Sequence, residues 1–304
     1  MMDRIIEIAS DDRHLAVARG SMEIRSGNDV IGRVPLDDIG ALICSAHGLT
    51  YSNNLIAKLA ERSVPVVLCG PNHMPIGYLM AANAHHQQSK RIMAQADASK
   101  SMKNRLWKQL VQAKIEAQAA VLQTLGKPHV PVGSLIRQVK SGDPDNIEAQ
   151  AAQRYWQLMF GNDFRRDRFG SGPNAMLNYG YAVLRAATAR ATLAAGLHPS
   201  LGLHHRSTVN PMNLVDDLIE PFRPIVDLIV FRHCAHHTDD ADFDLDSDTK
   251  RLMATITAHD LPTDAGASPV MQCLHRLAGS LAQCYLGDIE KLTLPLAPLP
   301  LELG

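Results

Sequence analysis

The chain changes grammar once. Up to about residue 81, short apolar runs alternate with turn residues, and from about residue 88 apolar positions recur at helical spacing. Two-residue alternation in Met22-Glu23-Ile24-Arg25 and in residues 14–19 predicts half-buried strands. Further strands are expected over residues 4–9, 30–35, 41–45, 65–69 and 76–80, with turns at Ser26-Gly27-Asn28-Asp29 and Gly70-Pro71-Asn72-His73. One helix interrupts them, starting near Ser52 and passing through Leu55, Ile56, Leu59 and Ala60 before Pro65. Beyond the break, helices are predicted over 88–97, 101–125, 132–141, 146–160, 174–195, 212–219, a segment past Pro221, 249–258 and 269–291. The pattern divides the chain into a β-rich unit over residues 1–82, a linker at 83–87 and a helical unit over 88–304.

Composition narrows the class. At 304 residues, 46% hydrophobic and 20% charged, the chain is large enough for two domains and far from the composition of disordered proteins. Five cysteines without a CxxC pair suggest neither a disulfide framework nor a zinc knuckle, which fits a reducing cytoplasm. The first residues lack the apolar core of a secretory signal, and Arg185 and Arg190 interrupt the longest apolar stretch, so no membrane span is expected.

A net charge of -1 conceals segregation. Residues 86–115 carry Lys90, Arg91, Lys100, Lys103, Arg105, Lys108 and Lys114 against Asp97 alone, whereas residues 235–248 carry six aspartates and no Lys or Arg. A solvated helix face accounts for such a basic run, and so does a surface that meets a polyanion.

Two segments carry candidate chemistry. In Asp143-Pro-Asp-Asn-Ile-Glu148, Glu148 has two readings. With Asp145 as N-cap it closes a capping box; otherwise its carboxylate crosses a cleft to a hard cation. The second segment runs from Gly196 through His204 and His205 to Asp216, Asp217, Glu220 and Pro221. Asp217 and Glu220 are three apart and Asp216 and Glu220 four apart, so either pair can share a helix face, where a divalent cation keeps both ionised. Pro221 should kink or end that helix. Glu, His and Glu or Asp form an oxygen-and-nitrogen donor set suited to Mg²⁺ or Mn²⁺, able to align a nucleophilic oxygen with a phosphodiester. The cluster at His233-Cys234-Ala235-His236-His237 matches no zinc template, and Asp240-Ala241-Asp242-Phe243-Asp244 opens like a calcium loop but lacks its later glycine and glutamate.

Together, the β-rich first third, Asn146-Ile147-Glu148-Ala149-Gln150-Ala151-Ala152, Leu177-Asn178-Tyr179-Gly180-Tyr181, the Gly196–His205 run and Asp217-Leu218-Ile219-Glu220-Pro221-Phe222-Arg223-Pro224 resemble the CRISPR-associated adaptation integrase family, particularly its type II form. The resemblance implies an α+β fold, with a small N-terminal β-sandwich-like domain used for dimerisation followed by a larger all-α catalytic domain. It implies a catalytic, metal-binding triad of Glu148, His205 and Glu220 holding Mg²⁺ or Mn²⁺, with Asp217 as a supporting acid and His204 as the alternative imidazole. The implied reaction is attack of the 3′-hydroxyl of a captured double-stranded DNA fragment on a phosphodiester of CRISPR repeat DNA. Implied partners are a second copy of the chain, a small ferredoxin-like adaptation protein and, in type II systems, the effector nuclease. Arg62, Lys90, Arg91, Lys103, Arg105, Arg137, Arg165, Arg166 and Arg168 are candidates to line the DNA path. Tyr155, Trp156 and Tyr179 are candidate base-stacking platforms, with core packing expected for at least two of them. The rival readings are a structure-selective metal-dependent nuclease that uses water, and a noncatalytic DNA-binding scaffold.

Overall fold

The computed structural model describes residues 4–70, 75–82, 85–167, 169–236, 245–264 and 266–297. The amino-terminal third forms β1 (Arg4–Ile8), β2 (Arg13–Ala18), β3 (Ser21–Ser26), β4 (Asp29–Pro35), β5 (Ile39–Cys44), β6 (Thr50–Tyr51), α1 (Asn53–Glu61), β7 (Val66–Cys69) and β8 (Pro75–Leu79). The Ser52 hydroxyl caps α1 by accepting from Leu55 N. Two four-stranded sheets result, ordered β4-β3-β2-β6 and β1-β5-β7-β8. In the second sheet β1, β5 and β7 run parallel, and β8 returns antiparallel beside β7.

Strand β5 shows why the two sheets cannot stand apart from the rest. All six of its residues are buried, as a parallel strand covered on both faces requires. Leu42 and Cys44 pack into the core between the sheets, while Ala41 and Ile43 join the core of the helical unit. Successive side chains point to opposite faces, so one strand serves both cores.

The helical unit comprises α2 (Gln88–Asp97), α3 (Lys100–Thr124), α4 (Val130–Gly133), α5 (Ile147–Phe160), α6 (Pro173–Ala194), α7 (Asn213–Leu218), α8 (Arg223–His236), α9 (Ser247–Ala254) and α10 (Val270–Leu286). Helix α6 is buried along most of its length, and Gly180 lets α8 press against it. A Cβ at Gly180 would lie 2.5 Å from Val226 Cγ1. Polar links bind the units together: the Tyr179 hydroxyl of α6 donates to Glu7 of β1, and Arg185 Nη1 donates to the Tyr78 hydroxyl of β8 at 2.6 Å.

Two helix expectations need correction, and one detail is added. The α+β class, strands first and helices after, stands as expected, with a short hairpin of β9 (Asp260–Thr263) and β10 (Gly266–Pro269) inside the helical unit. Strands of four residues, each holding a proline, leave too little alternation to read. The helix expected over 132–141 is a single α-turn followed by a 3-10 turn, Ser134–Gln138, because Gly133 is a poor helix former. The last helix stops at Leu286, where Gly287 takes a left-handed conformation with φ +81°. Among the described residues, no helix is long and apolar enough to cross a membrane.

Candidate functional site

Helix α3 is the spine of the site. Lys103, Trp107, Leu110 and Lys114 recur at four- and three-residue intervals, so they form one stripe along it. Lys114 lies within the interior, its side chain only 9% exposed. Its ammonium pairs with Glu148 Oε1 and, at 2.5 Å, with Glu220 Oε2. Burial alone would lower the Lys114 pKa, but the Glu220 and Glu148 carboxylates outweigh it and hold the group above its ordinary value.

Glu148 is available for this contact because another residue caps its helix. The expected capping box, with Asp145 as N-cap, does not form. Asn146 occupies the N-cap position in left-handed conformation, φ +51° and ψ +46°. The carboxylate of Asp143 accepts from Ile147 N and Glu148 N, each at 2.9 Å. Two orphan amides of the first turn are thereby satisfied, and the Glu148 side chain turns away toward α3.

The acids of 216–220 go three ways. Asp216 takes a bidentate contact from Arg185, at 2.6 and 2.9 Å, and a hydrogen bond from Asn210 Nδ2. Asp217 is fully buried and accepts from the backbone N–H groups of Leu203, His204 and His205 as well as bonding His205 Nδ1 at 2.7 Å. Glu220 reaches Lys114 and, through Oε1, Arg223 Nε at 3.0 Å. Burial pushes the Glu220 carboxyl up, yet Arg223 and Lys114 hold it below its ordinary value. Pro221 lies inside a 3-10 turn, Glu220–Phe222, that separates α7 from α8 as its missing N–H demands.

The loop carrying the histidines has no regular structure and is stapled by buried polar side chains. Gln95 of α2 donates to His198 O and Leu201 O and accepts from His198 N. Asn213 donates to Ser200 O and Ser207 O. Asp217 draws the Gly202–His205 backbone around itself, and Gly202 is required for that wrap because a Cβ there would lie 2.4 Å from His205 O. The two histidines diverge. His204 stacks flat on Trp107, with ring centroids 4.4 Å apart and planes 7° from parallel. His205 commits Nδ1 to Asp217, which orients Nε2 away from that carboxylate. The Asp217 hydrogen bond holds His205 above its usual pKa in spite of burial.

A second layer lies behind Glu220. The Arg223 and Arg166 guanidinium groups face the ring of Tyr181 at 4.7 and 5.3 Å, and the Tyr181 hydroxyl donates to Asp227. Asp227 is 1% exposed, and burial pushes its carboxyl up to about 7. The sequence pattern singles out neither Gln95 nor Asp227, and marks Asp143 only as the start of the Glu148 segment. Lys114 looked like one more member of a basic run.

Beside His205 opens a cavity of about 560 Å³ lined by Lys100, Lys103, Arg206, Ser207 and Thr208 among others. The remaining basic candidates scatter. Arg62 pairs with Asp37, Arg91 donates to Ala195 O, Arg165 to Asn162 O and Phe164 O, and Arg166 to Asn174 and Asn178. Lys90, Arg105 and Arg137 are exposed, Lys103 is half-buried, and Arg168 lies outside the described residues. Tyr155 and Tyr179 are buried, and Trp156 packs at a tilt against Phe160 and Phe164, so all three aromatics pack internally. The calcium-like stretch 240–244 and His237 also lie outside the described residues.

Among the described residues, no group of three or more His, Cys, Asp or Glu side chains is gathered tightly enough to hold a metal ion. Glu148 and Glu220 close on the Lys114 ammonium instead. Buried Glu220 Oε2 nevertheless has no partner of hydrogen-bond geometry, only this ion pair. Two carboxylates converging on one buried cation fit a hard divalent ion in donor chemistry and charge, while His205 is felt electrostatically by Glu220 but is not gathered with the two acids.

A strand-rich unit sharing its wall with a helical unit, and acids from two helical segments meeting on α3, define an α+β architecture with a buried carboxylate pair. The model of the CRISPR associated protein Cas1 family matches residues 6–259, and the chain belongs to that family. It is 41% identical over 199 residues to the CRISPR-associated endonuclease Cas1 of Neisseria meningitidis serogroup C (strain 8013), an alignment covering 65% of each chain. In fold it is similar to a casposase bound to integration product, with TM-score 0.78, 21% identity, and coverage of 95% of this chain and 92% of that one. It is likewise similar to a Cas6-RT-Cas1–Cas2 complex chain, with TM-score 0.74, 16% identity, and coverage of 100% of this chain and 36% of that one.

Proposed function

We propose that this chain is a divalent-metal-dependent DNA integrase that inserts foreign DNA fragments into a CRISPR array. One observation carries the reading: Glu148 and Glu220, from separate elements, meet at one buried point on the Lys114 ammonium, with Arg223 pairing Glu220 through its other oxygen. Glu148, Glu220 and His205 Nε2 would hold Mg²⁺ or Mn²⁺, which when bound supplies charge stabilisation to the phosphodiester oxygens under attack. Asp217 fixes the His205 ring through Nδ1, and the loop it gathers keeps that ring in place. Arg223 anchors Glu220 through Oε1, the oxygen other than the one paired with Lys114. The basic cavity beside His205 suits the phosphates of an incoming DNA end.

The reaction exchanges one phosphodiester for another as a 3′-hydroxyl of the fragment attacks repeat DNA, so the task is positioning and charge stabilisation. Family membership supports dimerisation through the β-rich unit and work in the cytoplasm, and the solved assembly that includes Cas2 supports a small ferredoxin-like partner. The type II effector nuclease is a further partner on this reading.

The test combines a labelled duplex with free 3′-hydroxyl ends, a repeat-containing plasmid and Mn²⁺. Joined products that vanish in Glu148→Gln and Glu220→Ala support the integrase. Shortened products alone favour a nuclease that uses water, a reading suggested by the endonuclease name of the Neisseria relative. DNA binding without chemistry in any divalent ion favours a scaffold.

A further inference from the structure

Lys114 is an expensive residue to bury. Its ammonium is removed from water and placed between carboxylates from α5 and from the turn after α7, an arrangement tolerated only because both charges face it. The pairing on the Glu220 side is charge without hydrogen-bond geometry. The ammonium donates a hydrogen bond to Glu148 Oε1 but meets Glu220 by charge only, so it is anchored on one side and loosely held on the other, on a stem of four methylenes. A divalent ion bound by the same two carboxylates would need the same point, and two cations cannot share it.

From this we infer that Lys114 is a resident counter-cation, so that metal loading at this site is an exchange in which the ion displaces the ammonium from between Glu148 and Glu220. The inference rests on the ligand assignment proposed above and extends it to a residue outside the ligand set. The exchange has two consequences. Before loading, Lys114 keeps the two acids from repelling each other and holds α5 and the 220–222 turn against α3. During loading, it competes with the ion and weakens its apparent affinity.

The test is Mn²⁺ titration of the full chain by calorimetry, together with melting temperatures with and without Mn²⁺. Lys114→Met keeps the bulk and removes the charge. It should bind Mn²⁺ about tenfold more tightly than the parent, the gain from removing a competing state populated roughly nine-tenths of the time. Without metal it should melt lower than the parent, and Mn²⁺ should raise its melting temperature more. Lys114→Arg keeps the charge and should show no gain in affinity. If Lys114→Met folds only when Mn²⁺ is present, the same exchange is read through stability. If it folds under neither condition, Lys114→Gln is titrated with the same expectation. Unchanged or weaker Mn²⁺ binding in the neutral variants overturns the exchange, while the ligand assignment survives if Glu148→Gln still abolishes binding. Mn²⁺ binding indifferent to Glu148→Gln sinks both.

Discussion

Two carboxylate centres lie within the helical unit, and they are satisfied in different ways. At Asp217 the acceptors are met by three backbone amides and an imidazole nitrogen, all on a loop that Gln95 and Asn213 also staple. At Glu148 and Glu220 the partners are a lysine and an arginine: Lys114 hydrogen-bonds Glu148, but Glu220 Oε2 meets it by charge alone. Hydrogen bonds fix an acid in direction, whereas charge alone fixes it only in place. The first centre therefore builds the scaffold, and the second remains open to exchange.

Mutation should separate them sharply. Glu148→Gln and Glu220→Ala should each lower strand joining by more than about a hundredfold, with secondary structure retained in circular dichroism. Glu148→Gln leaves the Asp143 cap untouched, so a loss of folding there would contradict the division. Asp217→Asn should act on both levels. An amide can present its oxygen to only one edge, so its NH₂ must face N–H groups that now donate to the carboxylate. A stability loss of about 3 kcal/mol in urea unfolding is expected, together with a loss of joining of about tenfold or more as the His205 ring loosens.

Smaller effects sharpen the contrast. Asp143→Ala removes the acceptor for Ile147 N and Glu148 N and should cost about 1 kcal/mol, measured by the same unfolding. Asp227→Asn should change a slope more than a midpoint. With its folded-state carboxyl raised from 3.8 to about 7, Asp227 keeps its proton in the fold where the unfolded chain has lost it. Its contribution is whole below about pH 4 and disappears as the pH rises through 7. Melting temperatures of Asp227→Asn across that window should decline less steeply toward alkaline pH than those of the parent.

Much of this plan was legible in the residues. The change from strands to helices, the helix after Ser52 and the break at Pro221 follow from periodicity, capping and proline chemistry, whereas the pairing of Glu148 with Glu220 was implied only by the family resemblance. Other features were hidden for one reason: a sequence pattern reports which face a side chain occupies, not who meets it there. Lys114 shares its run with exposed cations, and only the packing of α5 and the 220–222 turn against α3 makes it interior. Asp145 sits at the conventional distance for a cap, but the left-handed turn at Asn146 hands that task to Asp143. Arg166 reads as a phosphate ligand until Asn174 and Asn178 take its donors.

Gly202 carries a last consequence. Because the Gly202–His205 backbone curls around Asp217 with no room for a methyl group, a lone hydrogen atom at position 202 decides whether the neighbouring imidazole has an address. Natural variants of this chain that carry any larger residue there would be expected to lose stability and imidazole placement together, since the same wrap serves both.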